Sequence, residues 1–169
     1  MNVVIVGCGR VGATLAADLD RRGHKVTIVD LATRAFDRLP SSFRGNAFRG
    51  DGTDEDTLRR AGAEGADVFL ALTEGDNRNV MAAQLAVEAL GIERVVAKIN
   101  DPVRAEAYAD LGIATICRTD FMTYALLSHL GLDVGTAPTV RDAAPHDHSD
   151  ETPVEAGSTA VGAGPAREA

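Results

Sequence analysis

Three features of the sequence predict an α/β fold built on a doubly wound, parallel, six-stranded sheet. Six short apolar runs alternate with helical segments along the first 131 residues. The first run, Val3-Val4-Ile5-Val6, ends in Gly7-Cys8-Gly9-Arg10-Val11-Gly12, and the second closes on Asp30. Strands alternating with helices imply a sheet covered on both faces, and such strands read as continuous apolar runs.

Each element follows from the local pattern. After the first strand, Val11, Leu15, Ala16 and Leu19 share one helical face, and Gly23 ends that helix. Lys25-Val26-Thr27-Ile28-Val29 is the second strand, which completes a βαβ unit of about thirty residues. A short helix is predicted over Thr33–Arg38, a strand around Asn46–Arg49, and a helix from near Asp54 to Gly62. Asp67–Leu72 reads as the fourth strand, Asn77–Leu90 as a long amphipathic helix and Arg94–Ile99 as the fifth strand. Pro102 opens the next helix, a position that suits proline, and Gly112 ends it. Ala114–Cys117 is the sixth strand, and helical periodicity returns from Phe121 to Leu130.

The pattern stops there. Residues 1–131 form the predicted nucleotide-binding domain, and residues 132–169 a disordered acidic tail. From Asp133 onward the chain has no aromatic residue, leucine or isoleucine, and its seven acidic residues face only Arg141 and Arg167. Such a segment buries too little apolar surface to offset its ordering entropy.

Composition narrows the function. The net charge of −8 argues against nucleic acid, whose phosphates need a basic face. No apolar run approaches the ~20 residues that span a bilayer, and no signal peptide is visible, so the expected location is cytoplasmic. Cys8 and Cys117 are read as reduced and structural, and no metal site is expected. His24 sits at a helix–strand turn and His129 on the last helix, and His146 and His148 are only two residues in the tail, too few for a folded metal site.

The chemistry concentrates in the glycine motif. It follows a strand, opens a helix and sits within a βαβ unit, which makes it the dinucleotide-binding (Rossmann) fingerprint. Gly7 permits the tight turn, Gly9 lets a pyrophosphate approach the backbone, and Gly12 lets the helix pack against the strands. Free amides at the helix start, with the positive end of its dipole, suit phosphates, and Cys8, Arg10 and Val11 join the three glycines as candidate cofactor-binding residues. Asp30, eighteen residues after Gly12, suits a ribose diol and repels a 2′-phosphate, so NAD(H) or ATP/ADP is favoured over NADP. Arg10 lies inside the phosphate loop. It is either a charged fork for a terminal phosphate, and so a candidate sensor, or a solvated first-turn arginine.

Further motifs extend the pattern in order: Gly23-His24-Lys25-Val26, Val29-Asp30, Gly50-Asp51-Gly52-Thr53, Leu58, Ala61-Gly62 and Ala66-Asp67. Thr73, Asp76, Asn79, Ala97-Lys98-Ile99-Asn100-Asp101-Pro102 and Leu111-Gly112-Ile113 follow. With the glycine loop, this set resembles the N-terminal nucleotide-binding domain (RCK, KTN or TrkA-N) of the Trk/Ktr potassium-uptake regulators. The resemblance implies a regulatory subunit, not an enzyme, that binds NAD(H) or ATP/ADP. It implies a homodimer or higher ring beneath a membrane potassium channel or transporter subunit, possibly with a second RCK-type subunit. That places the chain at the inner face of the membrane through its partner. It also places Asp51 and Thr73 in the adenine and phosphate regions, Lys98 in the site, and the last helix across to a partner. Read without it, Asp51 is a turn residue, and Asp76 and Asn79 are polar residues at a helix start.

The sequence departs from the family in three places. Lys98 stands where many relatives carry arginine. Asp120 falls where some carry a cation-binding glutamate after proline, but Thr119 precedes it here, and a helix N-cap suits it better. An acidic tail stands where relatives continue into a second domain. The alternative readings are a small NAD-dependent oxidoreductase or a redox-sensing regulator. The first needs a substrate pocket, and no Tyr-x-x-x-Lys pair exists, since Gly112 and Ser128 follow Tyr108 and Tyr124 at that spacing. The second needs a DNA-binding module, which is not visible.

Overall fold

The computed structural model describes residues 1–110 and 113–142. Leu111, Gly112 and residues 143–169 lie outside the described residues, together with His146, His148 and most of the expected tail.

Six parallel strands form one sheet in the order β3-β2-β1-β4-β5-β6. They are β1 (Asn2–Val6), β2 (Lys25–Asp30), β3 (Asn46–Arg49), β4 (Val68–Ala71), β5 (Val95–Ile99) and β6 (Ala114–Cys117). Five α-helices are described: α1 (Arg10–Arg21), α2 (Glu55–Arg60), α3 (Asp76–Gln84), α4 (Pro102–Asp110) and α5 (Arg118–His129). Thr33–Arg38 is the predicted short helix, in 3₁₀ form. The strand order reverses between β1 and β4, and in such sheets the crevice at the strands' C-terminal ends is where ligands bind.

Val3, Val4, Ile5 and Val6 are all buried, as both faces of the central strand require. One face packs Val4, Val6, Phe69, Ala71 and Ala97 against Leu58, Ala82, Ala83 and Ala86. The other packs Val3, Ile5, Val26 and Ile28 against Ala13, Ala16 and Ala35. The core is thus aliphatic, with alanines where helices approach the sheet.

Two elements differ from expectation at their ends. The helix predicted to run to Leu90 leaves α geometry after Gln84 and continues as a π-helical segment over Leu85–Ala89. The last helix begins three residues before Phe121, at Arg118, with Cys117 as its N-cap. Asp120 therefore sits inside the first turn and is not the N-cap. Its carboxylate pairs instead with the Arg141 guanidinium at 2.9 Å.

No residue of α5 is buried, and Met122, Leu126 and Leu130 are more than half exposed. Beyond it the chain turns back to β6. Thr115 and Arg141 exchange backbone hydrogen bonds of 2.9 and 2.8 Å across an antiparallel bridge. No helix among the described residues is long and apolar enough to cross a membrane.

Candidate functional site: a basic cavity at the strand ends

The crevice at the strand ends is a cavity of about 630 Å³, a size that suits a small-molecule ligand. The glycine loop makes one wall. Gly7 has a φ of +107°, and a side chain there would collide with the backbone of Leu72 and Thr73. A Cβ on Gly12 would lie 2.0 Å from the Gly7 carbonyl oxygen, so only glycine lets α1 start this close to the loop. Gly9 is different. A Cβ there would meet nothing nearer than a Glu74 carboxylate oxygen at 4.0 Å. The loop is therefore closed beneath, at Gly7 and Gly12, and open towards the cavity at Gly9.

The helix behind the loop is left without a partner at its N-terminus. Gly9 is the N-cap of α1, has no side chain to cap with, and no acidic residue stands in the first turn. The first amides of α1 and its positive dipole end thus face an anion site.

Asp30 ends β2 beside this loop. Its Oδ2 accepts the Cys8 amide at 2.8 Å and its Oδ1 accepts the Ala32 amide at 2.8 Å. The carboxylate fixes the loop as well as lining the cavity. The Cys8 thiol points into the core and donates to the Ala35 carbonyl at 3.3 Å. Burial, with Asp30 adding to it, pushes that thiol up to about 11. Burial thus disfavours its thiolate form.

The Gly50-Asp51-Gly52 turn forms the floor. A Cβ on Gly52 would strike Val6, and one on Gly50 would strike Thr57, which explains the two glycines. Asp51 lines the cavity and accepts from the amide and hydroxyl of Thr53 at 2.9 and 2.7 Å. Those bonds hold its carboxyl below the usual carboxylate range. Both readings of Asp51, turn residue and cavity residue, describe the same geometry.

On the other side, Thr73 and Lys98 are organised by Asn79. Asn79 is fully buried, and its Oδ1 accepts the Thr73 amide at 2.8 Å and the Thr73 hydroxyl at 2.6 Å. Its Nδ2 donates to the carbonyls of Thr73 at 3.1 Å and Lys98 at 2.7 Å. Asn79 thereby ties the end of β4 to the end of β5 from beneath the cavity, a role beyond that of a polar helix-start residue. Asp76 does the same nearby, accepting the Asn100 amide at 3.0 Å and its side chain at 2.7 Å.

Lys98 is only 6% exposed and lines the cavity. Burial lowers its ammonium below the usual lysine value; Glu74 and Asp76 oppose that shift, and Arg118 adds to it. The sequence reading placed Gly7, Cys8, Gly9, Arg10, Val11, Asp30, Asp51, Thr73 and Lys98 in the site, and all nine line the cavity. Gly12 supports the loop from behind it. Arg38, Glu74, Arg78 and Arg118 also line it and were not read from the sequence. Arg38 ends the 3₁₀ helix, Glu74 follows β4, and Arg78 and Arg118 lie in the first turns of α3 and α5, scattered single residues that no spacing rule singles out.

Charge decides what the cavity suits. Arg10, Arg38, Arg78, Lys98 and Arg118 face Asp30, Asp51 and Glu74. The lining is net positive in a chain of net charge −8. Among the described residues no group of three or more His, Cys, Asp or Glu side chains is placed to hold a metal ion.

Residues 3–119 match the TrkA-N domain family. The chain belongs to the TrkA-N family. The match covers the sheet, the glycine loop and the start of α5, so the family and the cavity coincide. The chain is 46% identical over 142 residues to the Trk system potassium uptake protein TrkA of Streptomyces coelicolor, covering 84% of this chain and 63% of that protein. Its fold is similar to the Shewanella denitrificans Kef C-terminal domain in AMP-bound form, at 25% identity and a TM-score of 0.64, over 78% of this chain and 82% of that one. It is also similar to GsuK bound to ADP, at 26% identity and a TM-score of 0.61, over 76% of this chain and 34% of that one. The AMP and ADP are bound by those two neighbours, and the Streptomyces coelicolor relative is the one named for potassium uptake.

Proposed function

We propose that this chain is the nucleotide-binding part of a regulatory subunit of a potassium uptake system, gating transport through NAD(H) or ATP/ADP. The observation that carries this reading is the cavity itself: basic, at the switch point of the sheet, and walled by a glycine loop open only at Gly9. The AMP-bound and ADP-bound structural neighbours and the potassium-uptake relative support it. Asp30 takes the ribose, the loop from Gly7 to Val11 takes the phosphates, Arg10 reaches them from the first turn of α1, and Asp51, Thr73 and Lys98 complete the site.

The subunit acts without chemistry on the nucleotide. A ligand changes a transporter only if it binds two conformations with different affinity. The exposed apolar side chains of α5 support a homodimer or higher ring, since a helix with Met122, Leu126 and Leu130 in water has surface left to cover. The partners on this reading are a membrane potassium channel or transporter subunit, and a second RCK-type subunit where a regulatory domain is supplied in trans. The location is then the cytoplasmic side of the membrane, through that partner.

Potassium uptake in cells lacking this protein tests the reading. Complementation with wild type is expected to restore regulated uptake, and Gly9→Leu, which fills the phosphate approach, is expected to fail. Normal regulation by Gly9→Leu contradicts the proposal.

A further inference from the structure

We propose that Arg141 is a clasp that fastens the first turn of α5 to β6, and that closing this clasp and filling the cavity favour one another. The inference rests on the nucleotide reading above and adds a route by which an occupied cavity sets the position of α5.

Little else holds α5 in place. None of its residues is buried, so no packed face fixes its direction. Its side-chain hydrogen bonds gather in its first turn, where consecutive side chains lie about 100° apart around the axis and face different neighbours. Arg118 lines the cavity. The Thr119 hydroxyl donates to the Asn100 carbonyl, one residue past the end of β5. The Asp120 carboxylate accepts from Arg141 at 2.9 Å. A hydrogen-bonded helical turn moves as a unit, so a displacement at one of these three contacts is felt at the other two.

Arg141 holds the other end. After α5 the chain reverses at Gly131 and Gly135, whose φ values of +73° and +65° suit glycine. The helix is about 18 Å long at 1.5 Å per residue. Residues 130–140, at up to about 3.5 Å each, have chain to spare for the return. Arg141 then meets β6, the last strand of the sheet, on an edge where amides and carbonyls need a partner. Its amide donates to the Thr115 carbonyl at 2.8 Å, and its carbonyl accepts the Thr115 amide at 2.9 Å. One residue therefore grips Thr115 through its backbone and Asp120 through its side chain. Those two points lie on either side of the junction between β6 and α5, so Arg141 fixes the angle at which the helix leaves the sheet.

The sign of the coupling follows from Arg118. It makes no ion pair among the described residues, so the turn is fixed at Thr119 and Asp120 only. An anion in the cavity gives its guanidinium a charged partner. Fixing that third contact lowers the entropy lost when the clasp closes, which makes the two events cooperative without a contact between them. Linkage makes the effect reciprocal.

Amide hydrogen exchange of the full chain, with and without ADP, reads the clasp at Thr115 and Arg141, and calorimetry reads ADP binding. ADP is expected to slow exchange at both amides about fivefold. Arg141→Pro removes the amide donor and the ion pair together. It should abolish the effect of ADP on Thr115 exchange and weaken ADP by the same factor, about fivefold. Arg141→Gln removes the ion pair alone and should speed Thr115 exchange about threefold, whereas Arg141→Lys, which keeps the charge, should stay closer to wild type. The Arg141 side chain is 38% exposed, so these substitutions leave the core intact. Saturating ADP that leaves both amides unchanged, ADP affinity unmoved in Arg141→Pro, or equal exchange in Arg141→Gln and wild type overturns the clasp and leaves the nucleotide reading standing. Failure of ADP to bind wild type overturns both.

Discussion

The two halves of the cavity are built on opposite principles. In the half formed by β1, α1, β2 and the turn after β3, the lining carboxylates are already engaged with their own chain. Asp30 accepts two amides, Asp51 accepts two groups of Thr53, and the Cys8 thiol is turned into the core. In the half formed by β4, β5 and β6, the scaffold is satisfied but the lining cations are not. Asn79 makes four hydrogen bonds beneath the surface, while Lys98 and Arg118 above it have no ion-pair partner among the described residues. The first half is a preformed mould, and the second holds charge in reserve for whatever fills it.

The sharpest way to break this contrast is to strike the mould. Gly12→Ala puts a methyl group 2.0 Å from the Gly7 carbonyl oxygen, backbone against backbone, with no side chain free to move aside. It is expected to cost about 3 kcal/mol, read as a lower denaturation midpoint with an unchanged slope. A loss under about 0.5 kcal/mol would mean the loop is not tightly packed. In the other half, Asn79→Ala strands the Thr73 amide and two carbonyls in a buried place. The expected loss is about 2–3 kcal/mol. Retained stability would show that water replaces the side chain and that Asn79 is not the tie between β4 and β5.

These expectations bear on how much was legible beforehand. The β1-α1-β2 half was legible because its residues are contiguous: one glycine motif and one strand-ending aspartate at a fixed spacing. The alternation of strands and helices was legible for the same reason, since each apolar run is local. The other half assembles single residues from separate strand ends. Arg118 follows β6 by one residue and Glu74 follows β4 by three, so neither belongs to a recurring pattern. The start of α5 was missed because its first turn, Arg118-Thr119-Asp120, is polar and carries no apolar periodicity. The π-helical Leu85–Ala89 segment was equally hidden, because its composition is that of an ordinary helix.

Lys98→Met should move in the opposite direction from the two changes above. Removing a cation that partial burial disfavours is expected to stabilise the nucleotide-free protein by about 1 kcal/mol in a melting curve, while weakening nucleotide binding. The pH dependence has a matching sign. The folded-state value of Lys98 lies below the usual 10.5, so the unfolded chain binds more protons between the two values. Stability of the free protein should therefore gain from Lys98 as pH rises through the folded value towards 10.5. The gain should vanish in Lys98→Met and shrink with nucleotide bound. An identical pH profile in wild type and variant would show that the ammonium is not short of a partner.

Gly9→Leu should have the smallest effect on the fold, and it gives the most direct measurement. A Cβ at Gly9 meets only Glu74 at 4.0 Å, so the variant is expected to melt within about 0.5 kcal/mol of wild type. Its side chain nevertheless fills the one open approach to the phosphate loop. Calorimetric titration with ADP should show saturable binding to the wild-type chain and none to Gly9→Leu. Equal binding by the two proteins, or no binding by wild type, would contradict the assignment of this cavity as a nucleotide site.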